Sequence, residues 1–374
     1  MRSLILPFVA TLCSTASARP SLNADPVSNP AQVVRPDWSS APQGDRVLPR
    51  LETTAPLDGA KRKEVLYGPW NLKAGKTLSK FEMSAKSPCE EQDCIVTAMQ
   101  YTSRYDNGTE ILTSDGIWMH HCVMSSYDRM TSMTPLGPQI LWAGGNERPT
   151  LRLNTRYKYG IDWPSNVNFL LEYMSAVKQD VNVSLAVTYE YIPKSSPEAE
   201  NYRDSYLMWN SVGTPRYQNG SYAQDNKNLQ YTVPESGVLL QAMGHMHDGG
   251  TRVELYINDK LACSSKMFYN RRPGYGSLTV PASSHSHATT TLARRDDPSH
   301  HDPFGGKHIS DPGQCTSFGR VEKGDKMYAK AYYNTKEYNV MNHGGSVEAQ
   351  MGIIRVFIGP DSTSSEISSE GDDE

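Results

Sequence analysis

The sequence predicts an all-β protein built from two tandem antiparallel β-sandwich domains, jelly-roll-like in organisation. Three observations carry that expectation. First, short runs rich in Val, Ile, Thr and Tyr recur along the chain, and Tyr, at 21 of 374 residues, is abundant. Such residues suit the pleated, half-buried surface of a strand. Second, turn signals separate the runs, while the 3.6-residue apolar period of a helix is almost absent. Third, the runs fall into two groups, with a polar, Tyr/Asn-rich stretch between them.

The elements follow in chain order. Met1-Arg2, an apolar segment from Leu4 to Leu12 and the small residues Ala16-Ser17-Ala18 form the pattern of a secretory signal peptide, expected over residues 1–18. Residues 19–62 are rich in Pro, Ser, Asn and Ala and are expected to form an extended arm. The first sandwich is expected over 63–194, with strand-like runs Cys94–Tyr101, Ile117–Met124, Val167–Met174 and Val181–Tyr191. Turn signals at Asp106-Asn107-Gly108, Ala143–Asn146 and Trp163–Asn166 punctuate them. Residues 195–228 read as a connection. The second sandwich is expected over 229–358, with runs Val238–Met243, Arg252–Ile257, Lys326–Tyr333 and Met351–Ile358 and a hairpin turn at Asn258-Asp259. A His-rich insertion, 283–314, interrupts it and reads as a long solvated loop or a second metal-binding tract. The acidic, Ser-rich tail 359–374 is expected to be disordered.

Charge and composition narrow the function. A formal net charge of −4 argues against nucleic-acid binding. No run of about 20 apolar residues is present, so no membrane span is expected, and the leader makes the protein secreted. Export permits disulfides. Of six cysteines, Cys13 leaves with the leader. Cys263 with Cys315, and Cys89 with Cys94, are the candidate pairs, leaving Cys122 free. Sequons at Asn107, Asn182 and Asn219 are candidate glycosylation sites. No Gly-x-Ser-x-Gly elbow supports a serine hydrolase.

All ten histidines fall in four places: His120-His121, His245-x-His247, the His-rich insertion (His285, His287, His300, His301, His308) and His343. In a strand, residues i and i+2 share a face, so His245 and His247 can hold one metal ion without distorting the backbone. Adjacent residues face opposite sides. His120 and His121 therefore need a bulge or a twisted strand end to act together; otherwise one packs inward and the other is solvated. Met351 offers a thioether, a soft ligand suited to Cu(I).

With these residues in view, the chain resembles the ascorbate-dependent type II copper monooxygenases, the group of peptidylglycine α-hydroxylating monooxygenase and dopamine β-monooxygenase. It is more similar to the plant stress-up-regulated nodulin-like proteins and their fungal relatives. The shared elements are His120-His121, Gly144-Gly145-Asn146-Glu147, Gly244-His245-x-His247-x-Gly249-Gly250, Cys263-Ser264-Ser265 and the strand at Met351, and they cover about residues 63–358.

The resemblance implies two copper centres with ascorbate or a similar reductant as co-substrate. His245, His247 and Met351 match the centre that binds dioxygen and attacks substrate C–H bonds. His120 and His121 match two of three imidazoles of the electron-transfer centre, and Met174 stands where the third is expected. The carboxylate-gripping arginine of the peptidylglycine enzymes is Met243 here, and the two later anchors are Ile353 and Arg355. A thioether cannot replace a bidentate guanidinium, so amidation of glycine-extended peptides is disfavoured. The expected activity is hydroxylation of another small-molecule or secondary-metabolite substrate. The alternative is a non-catalytic secreted copper-binding protein, in metal storage or the cell wall.

Overall fold

A computed structural model describes residues 30–361 apart from 34, 37, 39–42, 83–84, 90–92, 131–137, 276–305 and 344–345. The expected leader, the tail beyond 361, and His285, His287, His300 and His301 lie outside the described residues. Strands account for 54% of the chain and helix for 6%, so the all-β expectation holds. No helix among the described residues is long and apolar enough to cross a membrane.

Among the described residues, four sheets and a two-stranded ribbon (Asn342–His343 with Ser346–Val347) make up the fold. The first orders Lys61–Leu72, Val181–Pro193, Cys94–Arg104, Tyr159–Asp162 and Arg203–Asp204. The second orders Thr77–Glu82, Asn168–Ser175, Ile117–Met130 and Pro138–Gly144. The third orders Tyr206–Ser211, Gly352–Pro360, Gly237–Met246 and Gln314–Thr316. The fourth orders Ser221–Asp225, Lys326–Asn334, Gly250–Ile257, Lys260–Tyr269 and Ile309–Pro312.

The expectation of two tandem sandwiches is corrected: the sheets form a propeller-like ring of four. The physical reason lies in the third sheet, which is buried on both faces. Val238, Leu240, Met243 and Phe357 join the core of the first two sheets. Leu239, Ala242, Ile354, Val356 and Ile358 join the core shared with the fourth. Doubly buried strands read as near-continuous apolar runs, and Gly237–Met246 is buried throughout with only Gln241 and His245 polar. One sheet thus serves two cores, and neither half closes by itself.

Several boundaries shift for the same reason. The expected connection 195–228 contains two ladder strands, Tyr206–Ser211 and Ser221–Asp225. The expected arm is held at residues 43–46, where the Gln43 and Gly44 carbonyls accept from Ser264 and Lys266 and the Arg46 carbonyl accepts from Gln314. The C-terminal end of the insertion is not a solvated loop, since Ile309–Pro312 pairs with Lys260–Tyr269. The hairpin at Asn258-Asp259 forms as expected, with both residues at positive φ (48° and 64°), the geometry of a primed turn. Cys263–Cys315 and Cys89–Cys94 are bonded, and Cys122 is free and buried. Asn107, Asn182 and Asn219 are all exposed.

Candidate metal centre

His245 is the penultimate residue of the strand Gly237–Met246, and His247 is the first residue beyond it. A register break between Leu239 and Gln241 sets the facing of the residues that follow. Gln241 then bonds Thr150 and Arg152 of the first half, and His245 points the same way. The His245 Nδ1 lies 3.0 Å from Glu147 Oε1. His247 donates its Nδ1 proton to the Ala349 carbonyl at 2.7 Å.

Glu147 sits in the turn after Pro138–Gly144. That turn needs glycine: a Cβ on Gly145 would come 2.6 Å from His245 Cε1, 2.8 Å from Glu147 Oε2 and 2.9 Å from the His120 carbonyl. Arg355 completes this side. Its guanidinium is buried, donates to the Gly244 carbonyl at 3.0 Å and stands 3.4 Å from Glu147 Oε1. Burial alone would raise the Glu147 carboxyl, but His245 and Arg355 overcome it and hold it down at about 2.

His120 and His121 lie on the strand Ile117–Met130. Pairing with Asn168–Ser175 runs Met119 to Tyr173 and then His121 to Glu172, so His120 is the extra residue of a β-bulge. The bulge brings both imidazoles to one side, with ring centroids 3.9 Å apart. Glu172 fastens them: its Oε2 is 2.7 Å from His120 Nδ1 and 3.4 Å from His121 Nδ1. Those contacts, His120 first, hold Glu172 well below the usual carboxylate range.

The two pairs meet. His120 and His247 have centroids 4.9 Å apart, and His121 lies 5.5 Å from His245 and 5.4 Å from His247. Ligand atoms of His120, His121 and His247 all fall within 4.8 Å of one another. His121 Nε2 and His247 Nε2 are 3.3 Å apart. All four Nδ1 atoms are committed to an oxygen, which leaves the Nε2 atoms of His121, His245 and His247 for the interior. His245 Nε2 is buried without a hydrogen-bond partner. Glu348 adds a carboxylate, its Oε1 against His120 Nε2.

Charge is unevenly spread over the cluster. Burial, only partly opposed by Glu348, holds His247 down at about 3, so it is neutral. Burial lowers His121 as well. His120 goes the other way, because Glu172 and Glu348 outweigh burial and raise it to about 9. A cavity of about 20 Å³ opens beside the cluster, lined by His120, His245, His247, Glu147, Trp118 and Met341 among others. That volume holds a water-sized ligand and no organic molecule.

The remaining expected residues are placed as follows. Met351 precedes Gly352–Pro360, is half-buried and does not line the cavity. Met174 packs with Trp118 and Met341 in an apolar cluster next to the site. The oxygen that serves His120 and His121 comes instead from Glu172, two residues earlier. Met243 and Ile353 are core residues, and Arg355 is tied to Glu147. His308 is buried against Trp118, with Nδ1 2.7 Å from Asp248 Oδ2. It pins the end of the insertion to the residue after His247. His343 lies in the short strand Asn342–His343.

Sequence reasoning missed the roles of Glu147, Glu172, Glu348 and Asp248. One signal was available. Glu172 is the only charge in the otherwise apolar or uncharged run Val167–Met174.

No protein-family model matches the chain. It is similar to a protein of Phoma sp. named "Probable copper-dependent oxygenase M1", 22% identical over 314 residues, covering 80% of this chain and 72% of the relative. It is also similar to "Probable copper-dependent oxygenase clz3" of Cochliobolus lunatus, 22% identical over 273 residues, covering 70% and 78%. Among solved structures, PNGase F, a glycosylasparaginase from Flavobacterium meningosepticum, matches with a TM-score of 0.35 and 9% identity over 82% of this chain and 97% of that one. PNGF-II matches with a TM-score of 0.36 and 9% identity, covering 81% and 65%. These structural likenesses support no inference about fold or activity. The sequence relatives make the chain copper-oxygenase-like at low identity.

Proposed function

We propose that this protein is a secreted copper-dependent oxygenase in which both histidine pairs serve one metal centre. One observation carries the reading. Ala349 offers a carbonyl, which can only accept, so the His247 proton is on Nδ1 and its Nε2 presents a lone pair. His121, with Nδ1 toward Glu172, presents Nε2 in the same way. Two lone pairs facing each other at 3.3 Å repel unless a cation lies between them. Two nitrogens at bond lengths of about 2.0 Å on one tetrahedral ion would be separated by about 3.3 Å.

The residues therefore fit a metal. Neutral imidazoles suit copper, zinc, iron and nickel, and the names of the two relatives favour copper. His121, His247 and His120 would hold the ion, with His245 Nε2 facing the same interior. Bound copper would supply the redox chemistry with dioxygen that side chains lack, given an external reductant such as ascorbate. The chain's own part is orientation. Glu147, Glu172 and Ala349 fix the imidazole tautomers, and Arg355 fixes Glu147.

The substrate is proposed to be a small molecule other than a glycine-extended peptide. Met243 and Ile353 are buried in the cores, and the Arg355 guanidinium is already engaged. The cavity of about 20 Å³ admits only the reacting group of such a substrate. A non-catalytic copper-binding protein is the second reading, and the small cavity favours it.

Oxygen consumption by copper-loaded protein with ascorbate separates the two. The oxygenase reading expects uptake above a free-copper control that disappears in His247→Ala. Copper binding with uptake no greater than that of His247→Ala would leave the binding protein.

A further inference from the structure

We infer that Glu348 is a metal ligand, and that a carboxylate stands in this centre where the resemblance places the thioether of Met351. The inference rests on the proposed metal centre and names its ligand chemistry.

Glu348 is 9% exposed, and neither of its oxygens completes a well-directed hydrogen bond. Burying a carboxylate in that condition is costly, and native structures avoid it unless a cation or donors compensate. Here the groups around it are imidazole edges. Oε1 lies against His120 Nε2 and 3.6 Å from His247 Nδ1. The His247 Nδ1 proton already goes to Ala349, the next residue. His120 Nε2 is likewise buried without a well-directed hydrogen bond. A buried carboxylate pressed against an imidazole nitrogen at the edge of the cluster makes a pair of donors that a metal cation can take in place of the proton between them.

The backbone supports this use. Glu348 donates its N–H to the Met341 carbonyl at 2.8 Å, and Ala349 is fixed through His247. The side chain therefore leaves a segment anchored on both sides, which limits the entropy lost on ligation. Met351 is half-buried, whereas Glu348 is buried with its Oε1 against His120 Nε2. A hard anionic oxygen favours Cu(II), whereas a thioether favours Cu(I). The centre should therefore hold the oxidised ion more tightly than a His-His-Met site would.

The test measures Cu(II) and Cu(I) affinity by chelator competition, with the paramagnetic resonance spectrum of the Cu(II) form. Wild type, Glu348→Gln, Glu348→Asp and Met351→Leu are compared as full chains, each checked for its fold by circular dichroism. Glu348→Gln is expected to lose about tenfold or more in Cu(II) affinity with a changed spectrum. Its Cu(I) affinity should change far less, and Glu348→Asp should recover part of the loss. Met351→Leu should match wild type in all three readouts. An infrared carboxylate band that shifts when Cu(II) is added to wild type needs no variant and is also expected. Wild-type affinity and spectrum in a folded Glu348→Gln, or a tenfold loss of Cu(I) affinity in Met351→Leu, would overturn the inference alone. A wild type that binds no copper would overturn the metal centre itself.

Discussion

The two histidine pairs reach one site by opposite routes. His245 lies in, and His247 just beyond, a strand whose two-residue period relates them, in a sheet buried on both sides. Their support is rigid and charged: Arg355, Glu147 and a glycine turn with no room for a methyl group. His120 and His121 are adjacent, and the strand period would separate them. A bulge brings them together, and Glu172, a quarter exposed, ties them to each other. One pair is positioned by the core and the other by a local distortion with a carboxylate across it. The first should fail by unfolding and the second by losing metal.

The largest effect on stability is expected on the first side. Glu147→Gln leaves the buried Arg355 guanidinium without its counter-charge, and breaking a buried pair in this way costs about 3–5 kcal/mol. Chemical denaturation of the metal-free protein reads it. Glu172→Gln, the same substitution on the second side, should cost under about 1 kcal/mol while weakening copper about tenfold. Equal stability losses in the two variants would remove the contrast.

Gly145→Ala sharpens the contrast, because it touches both supports. The added methyl would meet His245, Glu147 and the His120 backbone. It should lower stability by about 1–3 kcal/mol and weaken copper in the same variant. Thermal melting with and without copper separates the two losses.

The smallest effect on copper is expected at Glu110, which touches neither histidine pair and serves as a control. Burial opposes ionisation of Glu110, but Thr102, Arg50 and Arg148 outweigh it and lower its pKa. A carboxyl lowered in the folded state contributes stability above its unfolded value and loses it as pH falls through the folded value. Glu110→Gln should therefore reduce stability at neutral pH, by less than Glu147→Gln because Glu110 is 30% exposed and Arg148 keeps its bonds to Thr102 and the Ile111 carbonyl, and the difference should vanish in acid. Copper affinity should stay unchanged.

Much of this was legible in the sequence, for physical reasons that can be named. The strand runs, the turn at Asn258-Asp259 and the shared face of His245 and His247 follow from local geometry alone. Cys89 and Cys94 are five residues apart, and Cys263 and Cys315, 52 residues apart, lie in the same half of the chain. The bulge at His120 was legible only as a requirement, since register depends on the partner strand. The sharing of one sheet by two cores was not legible, because a doubly buried strand and the centre of a sandwich give the same apolar run. The carboxylates were missed because Glu147, Glu172 and Glu348 come from three separate segments that meet only in the fold. Met351 and Met174 were favoured on softness and position; Met351 is half-buried, and Met174 packs with Trp118 and Met341.

The most direct test is copper stoichiometry of the purified protein beside His120→Ala and His245→Ala. A single shared centre predicts one ion per chain in wild type, weakened in both variants. Two ions per chain, with each variant losing one and keeping the other, would contradict it and restore two independent centres.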